Sequence, residues 1–204
     1  MSQSWKDIRH TLSHFIKNPA EIGAIVPSSR YLASKMIGCV DFGKASTIVE
    51  LGAGTGAITS EMIRRSGPEN RILIIDLNPE SVSLLKERLR SYSNVEVLLA
   101  DARSLKEILR TRNIQSVEAI FSSLPYASLG AEITKDILTN IAGILAPEGH
   151  FVAFQYTPLH RNLFESHFSI RSAKIELRNL PPAIVYDCVS KSGPQAHAPQ
   201  RKTA

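Results

Sequence analysis

The residues best suited to chemistry in this chain form a glycine-rich stretch at 50–56, with the sequence Glu-Leu-Gly-Ala-Gly-Thr-Gly. Gly52, Gly54 and Gly56 allow a tight turn and let a ligand approach the start of the helix that should follow. Glu50 comes directly before the glycines, where a carboxylate would face a pyrophosphate unfavourably but suits a cationic ligand. The stretch therefore predicts a ligand site with a preference for positive charge.

Two acidic positions further along the chain extend this site. Asp76 lies 24 residues after Gly52, at the end of an apolar run and next to Leu77. Its carboxylate can accept hydrogen bonds from two ribose hydroxyls, each worth about 1.5–3 kcal/mol. Asp101 and Ala102 follow the next apolar run, and they place a polar group and a small side chain where an adenine ring would lie.

The same residues are compatible with two other interpretations. Gly52, Gly54 and Ala57 also satisfy the G-x-G-x-x-A dinucleotide fingerprint of nicotinamide-dependent dehydrogenases. Glu50 disfavours that class, and so does the lack of length for a separate catalytic domain. Taken singly, Glu50 and Asp101 could equally be loop acids that cap helices.

The elements that must position these residues alternate along the chain. Short apolar runs with strand character are separated by stretches of helical period, which predicts a parallel sheet covered by helices on both faces. A helix at 158–167 and strands at 169–178 and 183–190, joined by 179–182, indicate that the sheet ends with an antiparallel strand. The other predicted strands are 47–51, 71–76, 95–99, 117–122 and 150–156, and the other predicted helices are 57–66, 79–91, 103–112 and 130–145.

Length and composition favour a single globular domain at 19–191, followed by a disordered tail at 192–204. Cys39 and Cys188 have no second Cys or His at metal-ligand spacing, so we expect no metal site, no disulfide and a reducing cytoplasm. No run is long and apolar enough to cross a membrane, and no secretory signal is evident.

The net charge of +5 is unevenly distributed. Residues 1–46 carry +3, residues 47–156 carry −2 and residues 157–204 carry +4. Basic ends favour an anionic partner, either lipid head groups or nucleic acid phosphates. Basic termini that are merely solvated remain an equally good explanation.

The order of these features resembles the class I S-adenosylmethionine-dependent methyltransferases over residues 45–190. The resemblance implies a Rossmann-like, seven-stranded and mostly parallel sheet with an antiparallel C-terminal strand. It also implies S-adenosyl-L-methionine as cofactor, with its methionine end on the glycine loop, its ribose on the acid after the second strand and its adenine beside the acid after the third. The cofactor-binding residues implied are Glu50, Gly52, Gly54, Gly56, Asp76, Leu77, Asp101, Ala102 and Ser122.

The sequence Ser-Ser-Leu-Pro-Tyr at 122–126 resembles the Asn-Leu-Pro-Tyr motif of methyltransferases that act on amino nitrogens. The resemblance implies that Ser123, Leu124 and Tyr126 orient the amine, with the aromatic ring packed on the substrate. Ser123 stands where Asn is usual, and a hydroxyl lacks the paired donor and acceptor of an amide, which weakens a base-reading role. A rigid turn with a half-buried ring at Tyr126 is the alternative.

The N-terminal segment 1–18 has the pattern of an amphipathic helix. Its Trp5, Ile8, Leu12, Phe15 and Ile16 fall within an arc of about 100° on a helical wheel, flanked by basic residues. Such a helix either docks on the protein's own core or lies in a lipid interface.

The stretches 18–33, 122–126 and 178–186 together resemble bacterial phospholipid N-methyltransferases, relatives of the rRNA adenine dimethyltransferases. The resemblance implies methylation of phosphatidylethanolamine toward phosphatidylcholine, by a cytoplasmic protein held peripherally on the anionic inner face of the membrane. It assigns a lid to Ile25–Ser29 and head-group binding to Arg178 and Asn179, which could otherwise form only a turn between two strands.

Two alternative functions stay open. One is an RNA adenine N6-methyltransferase, although such enzymes usually add a helical C-terminal domain for which little chain remains after residue 190. The other is a cofactor-binding, membrane-associated module without turnover. The oligomeric state is not predicted by the sequence.

Overall fold

A computed structural model describes residues 29–126, 128–158 and 161–191. These described residues form one sheet of seven strands with α-helices packed on it. The strands are β1 Thr47–Leu51, β2 Arg71–Asp76, β3 Val95–Leu99, β4 Val117–Ser122, β5 Leu145–Gln155, β6 Phe168–Glu176 and β7 Ala183–Ser190. The helices are α1 Arg30–Ile37, α2 Ala57–Arg65, α3 Pro79–Arg88, α4 Leu105–Arg110, α5 Ala131–Ile144 and α6 Arg161–His167, with a 3-10 turn at Ala102–Ser104.

The strands lie in the order β3-β2-β1-β4-β5-β7-β6. Neighbours from β3 to β5 are parallel, whereas β7 is antiparallel to both β5 and β6. Strands β1 to β6 therefore all run in the same direction and end at one edge of the sheet, which we call the carboxyl edge. The predicted Rossmann-like fold with one antiparallel C-terminal strand is confirmed.

The core lies on both faces of the sheet because successive strand side chains point to opposite sides. In β1, Ile48 packs with α1, α2 and α3, whereas the adjacent Val49 packs with α4, α5 and α6. Both side chains are fully buried. Burial on two faces explains why β1, β2 and β4 are continuous apolar runs in the sequence.

The bounds of β1 to β4 and β7 agree with the sequence prediction. Strand β6 covers Phe168–Glu176 where 169–178 was predicted, and α3 and α4 are shorter than the predicted 79–91 and 103–112. Strand β5 begins at Leu145 and not at residue 150, because Leu145 pairs with Val117 ahead of an irregularity in the register. Helix α1 was not anticipated, and α6 is described from Arg161 because residues 159 and 160 lie outside the described residues. The predicted helix at 1–18, residues 25–28 of the predicted lid and the predicted tail at 192–204 lie outside the described residues.

Candidate functional site

The loop between β1 and α2 contains three glycines that allow it to turn tightly. Gly52, Gly54 and Gly56 have φ values of 77°, 53° and 84°, a region that favours glycine. At Gly52 a Cβ would lie 3.0 Å from Cδ2 of Leu124, so the loop after β4 packs closely here. At Gly54 a Cβ would meet no atom within 4 Å. The loop therefore has open space beside Gly54, at the carboxyl edge.

Glu50, in the penultimate position of β1, is completely buried. Its Oε2 accepts a hydrogen bond of 2.6 Å from the Thr59 hydroxyl, whereas its buried Oε1 has no partner within the described part of the chain. Burial, supported by the nearby Asp76 charge, raises the pKa of Glu50 to about 7. A buried carboxylate with a free oxygen is well suited to a cationic group.

Asp76, at the end of β2, connects the glycine loop to α3. Its Oδ2 accepts a 2.8 Å hydrogen bond from the Gly54 N–H, and its Oδ1 accepts one of 2.8 Å from the Asn78 N–H. Asn78 in turn caps α3 through its own side chain. A carboxylate offers about four lone-pair positions, so Asp76 can still accept two further hydrogen bonds, as two ribose hydroxyls require.

Asp101, after β3, lies beside Asp76 along the edge, because the Ala100 N–H donates to the Asp76 carbonyl at 3.1 Å. Its side chain caps the 3-10 turn by accepting from the Arg103 N–H at 2.7 Å. The Arg103 guanidinium adds hydrogen bonds of 2.9 and 2.8 Å. Asp101 is thus a capping acid, and Ala102 beside it is buried.

The turn after β4 is joined to β1 by a hydrogen bond of 2.9 Å from the Ser123 N–H to the Leu51 carbonyl. Ser123 and Leu124 are half-buried at the carboxyl edge. Ser122 is fully buried and its hydroxyl lies 2.7 Å from the Tyr126 hydroxyl. This pair lies below the turn and holds its two ends together.

The Tyr126 ring is only 3% exposed and packs edge-on against Phe164 of α6. This placement differs from the expectation that the ring packs on a substrate, because the core around α6 buries it. Burial raises the pKa of Tyr126 well above its usual range, so the phenol stays neutral and cannot act as a base near pH 7. In the structure, Tyr126 supports the turn from within.

The turn between β6 and β7 brings the two predicted head-group residues to the carboxyl edge in different environments. Asn179 is buried, and its amide accepts from the Ser29 N–H at 3.0 Å and donates to the Pro181 carbonyl at 2.8 Å. In the structure its side chain ties this turn to the residue that precedes α1. Arg178 is exposed, lies 4.3 Å from the Tyr31 ring centroid and donates to Glu176 at 3.0 Å.

Two partners in this site escaped the sequence analysis. Thr59 was not singled out, although its position in the first turn of α2 after Gly56 is a signal that it faces the end of β1. Tyr31 belongs to the unanticipated helix α1. The contact between Ser29 and Asn179 joins residues 150 positions apart, and no local pattern could have indicated it.

The arrangement fits the cofactor that the sequence analysis expected. The unpaired Oε1 of Glu50 provides a buried negative partner for a cation, and Gly54 leaves space for a ligand beside it. Asp76 has spare acceptor positions for a sugar. Within the described residues, no cluster of three or more His, Cys, Asp or Glu side chains is placed to hold a metal ion, and no helix is long and apolar enough to span a bilayer.

Sequence comparisons identify similar proteins. The family model described as "Methyltransferase domain" matches residues 48–149. An ornithine lipid N-methyltransferase from Singulisphaera acidiphila is 33% identical over 184 residues, which cover 90% of this chain and 96% of that protein. A probable ribosomal RNA small subunit methyltransferase A from Methanosarcina acetivorans is 29% identical over 126 residues, covering 61% of this chain but only 43% of that protein.

Solved structures with the same fold are more distant in sequence. The N-methyltransferase NodS from Bradyrhizobium japonicum, solved with S-adenosyl-L-homocysteine, aligns with a TM-score of 0.67 at 12% identity, over 91% of this chain and 99% of that chain. A 1,6-didemethyltoxoflavin-N1-methyltransferase from Burkholderia thailandensis aligns with a TM-score of 0.69 at 14% identity, over 94% and 92% of the two chains. At these identities the likeness concerns the fold alone.

Proposed function

The chain belongs to the class I S-adenosylmethionine-dependent methyltransferases, and from this premise we propose that it methylates the amine of a membrane lipid head group. The similarity to an ornithine lipid N-methyltransferase over 96% of that protein's length carries the proposal. Phosphatidylethanolamine is the substrate we propose first, and an ornithine-bearing lipid is the second. Both present a primary amine at a membrane surface.

The cofactor residues we propose are those that line the carboxyl edge from β1 to β4. The glycine loop and Glu50 would hold the positively charged methionine end, and Asp76 beside Leu77 would hold the ribose. Asp101, which caps the 3-10 turn, and the buried Ala102 would border the adenine, and Ser122 at the end of β4 completes the proposed set. When bound, S-adenosylmethionine supplies an electrophilic methyl group.

The chain's own contribution is to orient the amine and to exclude water. A lysine-like amine, with a pKa of about 10.4, must give up a proton at a cost of about 4.6 kcal/mol near pH 7. The half-buried Leu124 and Pro125 would lower that cost, because an apolar surface disfavours the charged form. Ser123, on the same turn, can accept a hydrogen bond from the amine, and Tyr126 fixes the turn through Ser122.

We further propose that the protein works in the cytoplasm, bound peripherally to the anionic inner face of the membrane. Segment 1–18 would lie in the lipid interface with its apolar arc inward and its lysines toward head groups. Residues 25–29 would then lead from the membrane to the cofactor site as a lid.

A second candidate function, methylation of adenine in RNA, is supported by the ribosomal RNA methyltransferase relatives. That similarity spans less than half of the relative's length, and Ser123 replaces the amide expected for a base-reading turn. We therefore place it second. A cofactor-binding module without turnover is the third possibility.

One experiment separates these functions. Purified protein is incubated with methyl-labelled S-adenosylmethionine and, in parallel, with vesicles containing phosphatidylethanolamine, with vesicles containing ornithine lipid, and with ribosomal RNA. We expect label in the lipid fractions only, and much less of it with Asp76→Ala at a limiting cofactor concentration. Label in RNA alone would replace the lipid proposal by the adenine one, and cofactor binding without label anywhere would favour the non-catalytic module.

A further inference from the structure

The segment at 175–182, which contains the end of β6 and the turn to β7, lies at the carboxyl edge of the sheet. We call it the docking turn. Strand β6 runs in the same direction as β1 to β4, so its end lies at the same edge as the glycine loop. Through Asn179 the docking turn is also bonded to Ser29, at the start of α1. Whatever binds this turn is therefore brought to the side of the molecule that holds the cofactor site.

The docking turn exposes large apolar side chains. Leu177 is 75% exposed, Leu180 is 73% exposed and Ile175 is 57% exposed. Among the described residues the remaining large apolar side chains with this degree of exposure, Leu84, Leu99 and Tyr92, lie on or near α3 and β3 at the far end of the sheet order. Burying three neighbouring side chains of this kind against an apolar medium would be favourable.

The polar residues around these side chains are predominantly basic. Between residues 168 and 182 the chain carries Arg171, Lys174 and Arg178, and its single acid is Glu176. Glu176 is buried and already neutralised by Lys35 at 3.1 Å and by Arg178 at 3.0 Å. These cations hold the pKa of Glu176 at about 2, so it stays ionised and paired. The exposed charge of the docking turn is thus positive.

A second cation lies next to Arg178. The Arg178 guanidinium lies 4.3 Å from the centroid of the Tyr31 ring, and that of Arg30 lies 5.0 Å from it. Both side chains are exposed. The tyrosine thus gathers two guanidinium groups beside Leu177 and Leu180. Arg178 already donates from Nε and Nη2 to Glu176 at 3.0 and 3.3 Å, and its remaining N–H groups, with those of Arg30, can donate to phosphate oxygens.

We propose that the docking turn, with Arg30, is a docking surface for an anionic phospholipid bilayer. Leu177 and Leu180 enter the interface while Arg30 and Arg178 contact lipid phosphates. Exposed leucines beside two exposed guanidinium groups have the composition of membrane-interfacial segments. The cations would repel one another across a twofold dimer, and an RNA backbone would not bury two leucines. The proposal deepens the proposed lipid function. It rests on that function only for the idea that the bilayer carries the substrate, because binding to the bilayer does not require methylation.

The first test measures binding without activity. The full chain is sedimented with vesicles of phosphatidylcholine alone and with 30% phosphatidylglycerol, as wild type, as Leu177→Ser/Leu180→Ser, and as the matched control Leu84→Ser/Leu99→Ser. We expect the docking-turn variant to lose about tenfold or more in partitioning onto anionic vesicles and the control to lose less than twofold. Equal binding by wild type and docking-turn variant, or no binding by wild type, would overturn the proposal.

A second measurement guards against misfolding of the double serine variant. In a Trp5→Phe background, Leu180→Trp should show a blue-shifted emission with anionic vesicles and quenching by brominated lipid chains. A matched Leu84→Trp should show neither change. If the indole introduced by Leu180→Trp stayed unquenched on vesicle-bound protein, insertion of the docking turn would be excluded.

Failure of the lipid function gives a different result. If wild type binds vesicles through Leu177 and Leu180 but labels no lipid, the docking surface stands and the substrate assignment falls. Suppose instead that wild type and Leu177→Ser/Leu180→Ser methylate a short-chain, water-soluble lipid amine equally well and also bind vesicles equally. The substrate assignment then stands and the docking surface is excluded.

Discussion

The Gly54 N–H donates a hydrogen bond of 2.8 Å to Oδ2 of Asp76, so the acid after β2 holds the glycine loop after β1 in place. The same carboxylate accepts from the Asn78 N–H through its other oxygen. Asp76 therefore has two functions at once, as a support of the loop and as the proposed partner of the ribose. A variant at this position should change both stability and cofactor affinity.

Asp76→Ala should weaken S-adenosylmethionine binding by about 2–3 kcal/mol, or about 30- to 150-fold, because two hydroxyl hydrogen bonds are lost. The free energy of unfolding should also fall, since the N–H groups of Gly54 and Asn78 lose their acceptor. Isothermal calorimetry and denaturant unfolding measure the two effects. Wild-type affinity in a folded variant would contradict the assignment, and an equal loss of NADH affinity would favour a dehydrogenase.

A pair of glycine variants separates the space for the cofactor from the geometry of the loop. Gly54→Ala places a methyl group in open space, whereas Gly56→Ala would bring a Cβ within 2.8 Å of Leu85 Cδ2, and both glycines have positive φ. We expect Gly54→Ala to lose about tenfold or more in cofactor affinity at a cost of about 1–2 kcal/mol in stability. Gly56→Ala should be destabilised by more than Gly54→Ala. Calorimetry measures the affinities and thermal unfolding the stabilities. Wild-type cofactor affinity in Gly54→Ala would mean that the open space is not the binding site.

Much of this architecture was predictable because the signals are local. The strands buried on both faces are apolar runs, and each site residue lies near the end of one or just after it. Strands β1 to β4 and the order of Glu50, Asp76 and Asp101 along the edge could therefore be derived. Helix α1 was missed because it has only eight residues, about two turns, and its apolar stripe of Leu32, Ala33, Met36 and Ile37 is correspondingly short. Only the structure shows this helix, which packs against α2 and β7.

The orientation of individual side chains could not be derived in this way. Tyr126 lies in a motif that suggests exposure, but Phe164, 38 positions later, packs against it and buries it. Likewise, Asn179 lies in a polar turn, yet its amide is used by Ser29. Both outcomes depend on contacts between distant segments, which no spacing along the chain encodes.

Tyr126→Phe tests whether the phenol meets the substrate or only supports the turn. Removing the hydroxyl takes away the 2.7 Å hydrogen bond to the buried Ser122, which should cost about 1–2 kcal/mol of stability. We expect unchanged cofactor affinity and a loss in kcat of less than tenfold, because the hydroxyl holds the turn indirectly. Thermal unfolding and steady-state rates measure both. A loss of more than a hundredfold in kcat at unchanged stability would place the hydroxyl in contact with the amine.

Deleting residues 1–18 tests the proposed interfacial helix. Lys6, Arg9 and Lys17 should each contribute about 1 kcal/mol near an anionic surface, and Trp5 and Phe15 should add apolar burial. We expect the deletion to abolish methylation of vesicle-embedded phosphatidylethanolamine while cofactor affinity is retained, and wild-type binding to weaken as salt is raised. Sedimentation and methyl-label incorporation measure these effects. Full vesicle methylation by the shortened chain would mean that the segment docks on the core.

The pH dependence of cofactor binding should follow Glu50. Burial raises its pKa from 4.5 to about 7. Between these two values the ligand-free fold therefore keeps a proton on Glu50 that the unfolded chain has released. That contribution to stability is complete below pH 4.5 and is lost as the pH rises through about 7. A cationic cofactor requires the carboxylate, so its affinity should change in the opposite direction, rising up to about tenfold per pH unit below pH 7 and levelling off above it. Glu50→Gln should flatten both profiles, with weaker binding and a higher Tm than wild type at pH 8. Calorimetry and thermal unfolding between pH 5.5 and 8.5 decide this, and an unaltered affinity profile in the variant would assign the titration to another group.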